Sequence, residues 1–492
     1  MAESLDTKDV FSYITTEENS FRTTRIPLTN SKDWNMYEHI QRCKNVANGW
    51  FHSGKNDGLR PYDDLATPII DVSIRLEGFN VKDIVPYVND AIEYYKSFLV
   101  KKMHPQWARK NELDTFIDEV VETSVIYDLA LVKDVGETKP EVVDLTTIAF
   151  CDQTDVMAGP ICLKHHFSPA ELYSMAPKWD KDAIDMACTQ AVEEKKVSIA
   201  NDQVAKTPMK YIPVYELRGS LPARWNDGEE GEYTDQMHIV CFYNDLEGVK
   251  QGITLYKGED KPLSEVFKAL KIDQVRSKGR ACGRSVVERL FEPVVWNNYS
   301  GIKIKKLLDS AVNVIISDSE ELGNSKLSDL ADNTVIKVEK NSSTVRLDGT
   351  LQNLASFQNH QVVQKNSARE LGSASELALG NTPTAGTPLG TTQIVQTEGQ
   401  GIHEYRQGKI ATFFADVLYP WIILPSLVRE MNKDGKFSEE LSFDELQEIA
   451  EQISTNEVER IKKRAFIEKG EIMTPEQEEM TRQVIKDGYV KA

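Results

Sequence analysis

Positive charge is in short supply: Lys and Arg number 58 against 77 Asp and Glu, which gives the 492 residues a formal net charge of −19. A protein that grips nucleic acid over a broad face needs many basic side chains at phosphates, so the composition argues against that class. DNA as a transient cargo stays compatible, because an acidic wall repels phosphate within the ~8 Å that physiological salt allows. Cysteine is sparse too: Cys43, Cys151, Cys162, Cys188, Cys241 and Cys282 are scattered, with no C-x-x-C pair. A disulfide framework is not expected in so large a chain, and assembly inside a cell is the natural reading. The opening segment MAESLDTKDVFSYITTEENS is polar and acidic, without the apolar region of a secretory signal. One long apolar run exists, ATFFADVLYPWIILPSLV at 411–428. Asp416, Pro420 and Pro425 interrupt it, so a buried core helix is expected rather than a membrane span.

Catalytic and metal signatures are missing as well. There is no G-x-S-x-G and no H-E-x-x-H. The segment from Gly279 to Ser285 resembles a phosphate loop only superficially, since three residues separate its glycines and Arg284 stands where Lys is required. Cys151, Cys162, His165 and His166 match no common zinc module. Asn432-Lys433-Asp434-Gly435-Lys436 starts like a calcium loop, but Phe437 occupies the position that needs glycine, so an Asp-Gly turn is expected. No catalytic residue, cofactor or metal ligand is therefore expected, and the chain does not read as an enzyme.

What is present is enough to build cores: 40% of residues are apolar and 8% aromatic, unlike a disordered chain. Helical spacing predicts helices over 88–102, 113–132 and 168–195, the last opened by Ser168-Pro169. A strand is expected over 141–150. Short Val-, Ile- and Tyr-rich runs at 212–217, 237–243 and 252–256, separated by NDGEEGE and NDLEG, predict an antiparallel meander with an acidic hairpin tip. A long helix is expected over 286–310, kinked or split at Pro293. Strands are expected at 312–316, 335–338 and 343–347, and a second helix over 351–371. A segment rich in Gly, Pro, Thr and Ala follows at 372–392 (GSASELALGNTPTAGTPLGTT). Such a segment between two helical stretches reads either as a linker or as a functional loop. A third helix is expected over 393–420, interrupted by Gly399, Gly401 and Gly408, and charged helices from 438 onward.

The order of these parts carries more than any single motif. Gly283-Arg284-Ser285-Val286-Val287-Glu288, running on to Phe291-Glu292-Pro293, resembles the segment that opens the stem helix of phage portal (head-to-tail connector) proteins, notably those of short-tailed phages. ITLYKGEDKPL just upstream resembles the strand and proline-bearing link before that helix, and TPTAGTPLG at 382–390 is similar in position to the portal tunnel loop. The resemblance spans 209–431 by order of elements and is specific only around 279–308.

The resemblance implies an α+β fold, mainly α, with wing, stem, clip and crown regions around a central channel. Residues 1–282 would form the wing, 283–310 the first stem helix and 311–350 the clip. Residues 351–371 would be the second stem helix, 372–392 the tunnel loop, 393–432 a helix returning to the wing, and 433–492 a helical crown. It further implies a homo-oligomeric ring of about twelve at a capsid vertex of the virion, formed in the host cytoplasm and passing double-stranded DNA without sequence readout. Its partners would be the large terminase, head–tail adaptor or tail proteins and the major capsid protein; no membrane is involved. In the loop, Asn381, Thr382, Thr384 and Thr387 could make weak, exchangeable contacts to phosphates. Lys303, Lys305 and Lys306 would form a basic girdle in the ring, or else simply the solvated face of a helix. Gly283, Arg284 and Ser285 would open the stem. Trp296, Tyr299 and Phe357 could pack between subunits or within the chain.

Two other classes compete. A head–tail adaptor or another virion structural protein would usually be shorter and lack the helix–loop–helix with its Gly/Pro/Thr loop. A DNA-acting enzyme would need a magnesium-binding carboxylate cluster or a genuine phosphate loop.

Overall fold

The computed structural model describes residues 3–29, 32–49, 62–86, 94–136, 139–197, 211–244, 250–309, 315–317, 344–346, 350–374, 379, 389–434, 441–469 and 472–491. The fold is mixed α+β with helix predominant.

The meander forms as its alternation dictates. Five strands, β1 (Ile148–Phe150), β2 (Ile161–Phe167), β3 (Ile212–Pro222), β4 (Tyr233–Asn244) and β5 (Lys250–Glu259), pair antiparallel in chain order. Side chains alternate across a strand, so successive residues serve two cores. Tyr215, Leu217, Val240 and Phe242 point into the main core, while Ile212, Val214, Ile239 and Cys241 face a smaller one. Helices α1 (Pro169–Ser174) and α2 (Lys181–Val197) cover that smaller core through Leu172, Ile184 and Ala187. The single helix expected over 168–195 is thus two helices. Ser168 caps the first through a box with Glu171, and Pro177 falls in the gap before the second.

Helix α3 (Leu113–Tyr127) is the centre of the main core, burying Phe116, Ile117, Val120, Val121 and Val125. It stops short of the expected end at 132. Asp128 adopts a left-handed conformation (φ 53°), and Ala130–Lys133 leaves as a strand pairing antiparallel with Phe267–Leu270. The strand expected over 141–150 is two short strands, Glu141–Val142 and β1, around a turn capped by Asp144. Of the helix expected over 88–102, residues 88–93 lie outside the described residues; the remainder is helical and continues beyond 102 as α4 (Tyr94–Lys110), passing Pro105.

Helix α5 (Val286–Asp309) passes through Pro293 unbroken, so the expected split does not occur. It packs antiparallel on α6 (Thr350–Leu371): Gln361 Nε2 donates to the Asn297 carbonyl at 3.3 Å, and Ser300 Oγ lies 2.9 Å from His360 Nδ1. Between them, Ile315–Ser317 pairs antiparallel with Thr344–Arg346, close to two of the expected strands; the third, 335–338, lies outside the described residues.

A continuous helical rod follows: α7 (Leu389–Phe413), a π-type stretch Phe414–Ile423, and α8 (Leu424–Asp434). The glycines do not interrupt it, and it continues past the expected end at Pro420. Gly401–Met431 is long and apolar enough to cross a membrane by length and composition. Its Phe414, Leu418, Ile423 and Leu427 lie in the main core. The C-terminal charged region forms an antiparallel pair, α9 (Phe443–Lys469), capped by Ser442, and α10 (Pro475–Lys491).

Candidate functional site: a helical hairpin and its root

Gly283-Arg284-Ser285 sits where α5 enters the core. Ser285 is fully buried, and its Oγ accepts the Glu288 N–H at 2.9 Å, an N-cap that satisfies one of the orphan donors of the first turn. The Glu288 carboxylate accepts from Arg280 Nη1 and Nη2 at 3.0 and 2.8 Å. Arg280 also donates to the Gly283 carbonyl at 2.9 Å, folding 280–288 into a closed clamp. Gly283 is required by space: a Cβ there would stand 1.6 Å from Asp128 Oδ2. Arg284 is exposed.

Behind this turn lies a buried charge junction that sequence reasoning missed. Arg406, from α7, donates to both oxygens of Glu77 (2.9 and 2.8 Å), to Asp128 Oδ1 (2.8 Å) and to the Ser124 carbonyl (3.0 Å). Asp128 Oδ2 accepts the Asp273 N–H at 2.9 Å. Burial raises the Asp128 carboxyl above its ordinary pKa, against the pull of Arg406. Burial likewise opposes the charge of Arg406, yet Glu77 and Asp128 outweigh it and hold its pKa above the ordinary value. His403 Nδ1 lies 3.0 Å from Glu77 Oε1, and its Nε2 lies 3.4 Å from the Ser373 carbonyl. The junction therefore joins the helix ending at Glu77, the turn after α3, the root of α6 and the returning rod. The Glu77–Arg406 pair spans 329 residues of sequence, so no local spacing could have revealed it.

The far root of the hairpin is equally close-packed. A Cβ on Gly372 would stand 2.3 Å from Ile69 Cγ2. Higher up, Asp63 ties both helices: Asn297 Nδ2 donates to it at 3.1 Å and Lys365 Nζ at 2.8 Å. The Lys365 bond is the main cause that holds Asp63 below its ordinary pKa. The inner stripe is largely polar, with Asn297, Asn298 and Ser300 all buried.

The apolar side chains stand outside. Trp296 and Tyr299 are 51% and 46% exposed, and Val362 and Val363 on α6 are 56% and 59% exposed, while Phe357 is half-buried. Lys303 Nζ lies 5.3 Å above the Tyr299 ring, a cation–π contact. At ~100° per residue, Trp296, Tyr299 and Lys303 share one stripe, whereas Lys305 falls on nearly the opposite face. By the same spacing Lys306 falls on the side of Tyr299 and Lys303, so Lys305 alone departs from that stripe. Lys306 belongs to α5, but its side chain lies outside the described residues, as do Asn381, Thr382, Thr384 and Thr387.

Among the described residues, nothing in this region is arranged for nucleophilic or metal chemistry. Burial pushes the Cys43 thiol up to about 12 and holds Cys282 well above its ordinary value, so both stay protonated. Burial also lowers His39, beside them, to about 4. Of the residues considered for zinc, Cys151 Sγ contacts Met36 and His165 Nε2 lies 2.9 Å from Glu216 Oε2. Among the described residues, no group of three His, Cys, Asp or Glu side chains gathers to hold a metal. No protein-family model matches the chain, and no curated protein matches it.

Proposed function

We propose that the chain is one subunit of a phage portal: a ring of about twelve copies at one vertex of a viral head, through which double-stranded DNA enters and leaves. One observation carries the reading. A long antiparallel helical hairpin, tipped by a two-stranded β pair, is locked to the core at its root but keeps Trp296, Tyr299, Val362 and Val363 exposed. Exposed apolar side chains on both helices of the hairpin support a contact surface, which copies related by rotation would cover. The net charge of −19 suits a wall past which DNA slides rather than one that holds it. In this reading residues 381–387 face the channel, and the wing and hairpin tip meet capsid, terminase and then adaptor or tail proteins.

The purified full chain is expected to form closed rings with a central pore by native mass spectrometry and negative-stain electron microscopy. A strictly monomeric species at micromolar concentration refutes the reading. Trp296→Glu with Val363→Glu, both at exposed positions, is expected to release monomers while leaving the circular-dichroism spectrum unchanged. Deleting 383–389 should leave rings intact and lower DNA packaging; unchanged packaging removes that segment from the channel.

A further inference from the structure

A second site lies outside the α5–α6 hairpin, beside α4, and rests on observations independent of the portal reading. Helix α4 and the segment 81–86 enclose a cavity of about 270 Å³. Val81, Ile84, Val85 and Ala108 give it apolar walls, and Val85 stands 62% exposed at its mouth.

Three cations rim this cavity: Lys82, Lys101 and Arg109. All three are exposed, and none makes an ion pair or side-chain hydrogen bond among the described residues. The one acid in the lining, Asp114, is already engaged, its Oδ1 accepting the Val81 N–H at 3.1 Å. In a chain with 77 acids against 58 bases, three exposed cations around one small cavity, without an acid partner among the described residues, reverse the prevailing sign. His104 completes the wall: it is only 3% exposed, and its ring lies 5.8 Å from that of Tyr419, so it closes the inner side of the cavity and offers no accessible polar atom there.

Size selects the ligand class. Sites for cofactors and drug-sized molecules usually span roughly 300–1,000 Å³. A smaller apolar cavity with a cationic rim holds one anchoring side chain, with carboxylates placed outside it. We propose that this cavity is a docking site for a short acidic peptide segment of a protein partner, which inserts a Leu, Phe or Trp side chain between 81–86 and α4. Its flanking Asp or Glu residues then pair with Lys82, Lys101 and Arg109. Charge at the rim sets partner choice and association rate, while the anchor supplies the hold.

The test uses the full chain and a panel of fluorescein-labelled, amidated hexapeptides, each carrying one Leu, Phe or Trp among Asp and Glu, read by fluorescence anisotropy. At least one member is expected to bind, to weaken about tenfold or more in Lys82→Glu/Lys101→Glu/Arg109→Glu, and to lose binding when its apolar residue becomes Ala. These three positions are exposed, so an unchanged melting curve establishes that the variant is folded. Any of three outcomes overturns the proposal: no member binds the wild-type chain; binding is indifferent to the charge reversal; or octanoate occupies the cavity while every peptide fails, which makes it a small-amphiphile site. Ring formation is scored separately. A monomeric chain that binds the peptides removes the portal reading and keeps this one, and a ring that binds none does the reverse.

Discussion

Two helical hairpins in this molecule share a shape and differ in how they are held. The α5–α6 hairpin is rooted in a buried junction where Arg406 binds two carboxylates and where Gly283 and Gly372 let backbone touch side chain. The α9–α10 hairpin buries Ala450, Val458 and Ser454 and is otherwise laced by surface pairs, Lys462–Glu478 and Lys486–Glu451. Lys102–Glu445 is an ion pair tying it to α4. Buried pairs punish the loss of one partner, whereas exposed pairs contribute little. The first hairpin should therefore resist displacement and the second should adjust, although both carry exposed apolar residues.

That contrast can be broken in graded steps. Arg406→Met strands Glu77 and Asp128 in the interior and is expected to cost about 3–5 kcal/mol in urea unfolding. A cost below about 1 kcal/mol would mean the junction is not what fixes the root. The root should also be the pH-sensitive end. His39, next to the Arg280–Glu288 clamp and Arg42, has its folded-state pKa lowered from 6.5 to about 4, chiefly by burial. Its contribution is fully present above about pH 6.5 and is lost as pH falls toward 4, amounting to ~3 kcal/mol by linkage. His39→Gln should flatten the stability profile across that window, and an unchanged slope contradicts the assignment. Gly283→Ala forces Asp128 to shift and should cost about 1–3 kcal/mol. Ser285→Ala removes the cap for ~1 kcal/mol, read from the same curves. Smallest of all, Lys462→Ala in the C-terminal hairpin should stay within ~1 kcal/mol of wild type. A larger loss there would erase the distinction between the two hairpins.

How much of this was legible beforehand depends on the range over which the determining contacts act. The meander was readable because alternation is local. The start at Ser168 and the charged C-terminal helices were readable because caps and helical periodicity are local too. The end of α3 was not, since a single Asp128 is the only polar break and Leu129, Ala130, Leu131 and Val132 resume the apolar run beyond it, while tertiary contacts hold Asp128 in the left-handed turn. The unbroken passage through Pro293 and Pro420 was likewise hidden, because packing against the core outweighs a missing helical bond. In the candidate site, Gly283 and Ser285 stood out in the sequence, and the structure supplies their physical roles. Glu77, Asp128 and Arg406 did not stand out, because a buried ion pair leaves no periodic trace. The inner stripe of the hairpin misled for a related reason: Asn297, Asn298 and Ser300 are inside while Trp296 and Tyr299 are outside, the reverse of what hydrophobicity suggests.

The placement of Arg406 has a mechanical corollary. It belongs to the helical rod that starts at Leu389, while the acids it grips belong to the helix ending at Glu77 and the turn after α3. Sliding the rod by one helical turn, ~5.4 Å, would carry the guanidinium out of reach of both acids and leave two negative charges facing each other in a low-dielectric pocket. Axial slip is thereby costly, and a load applied beyond the hairpin root passes into the elements that carry Glu77 and Asp128 as into a rigid bracket.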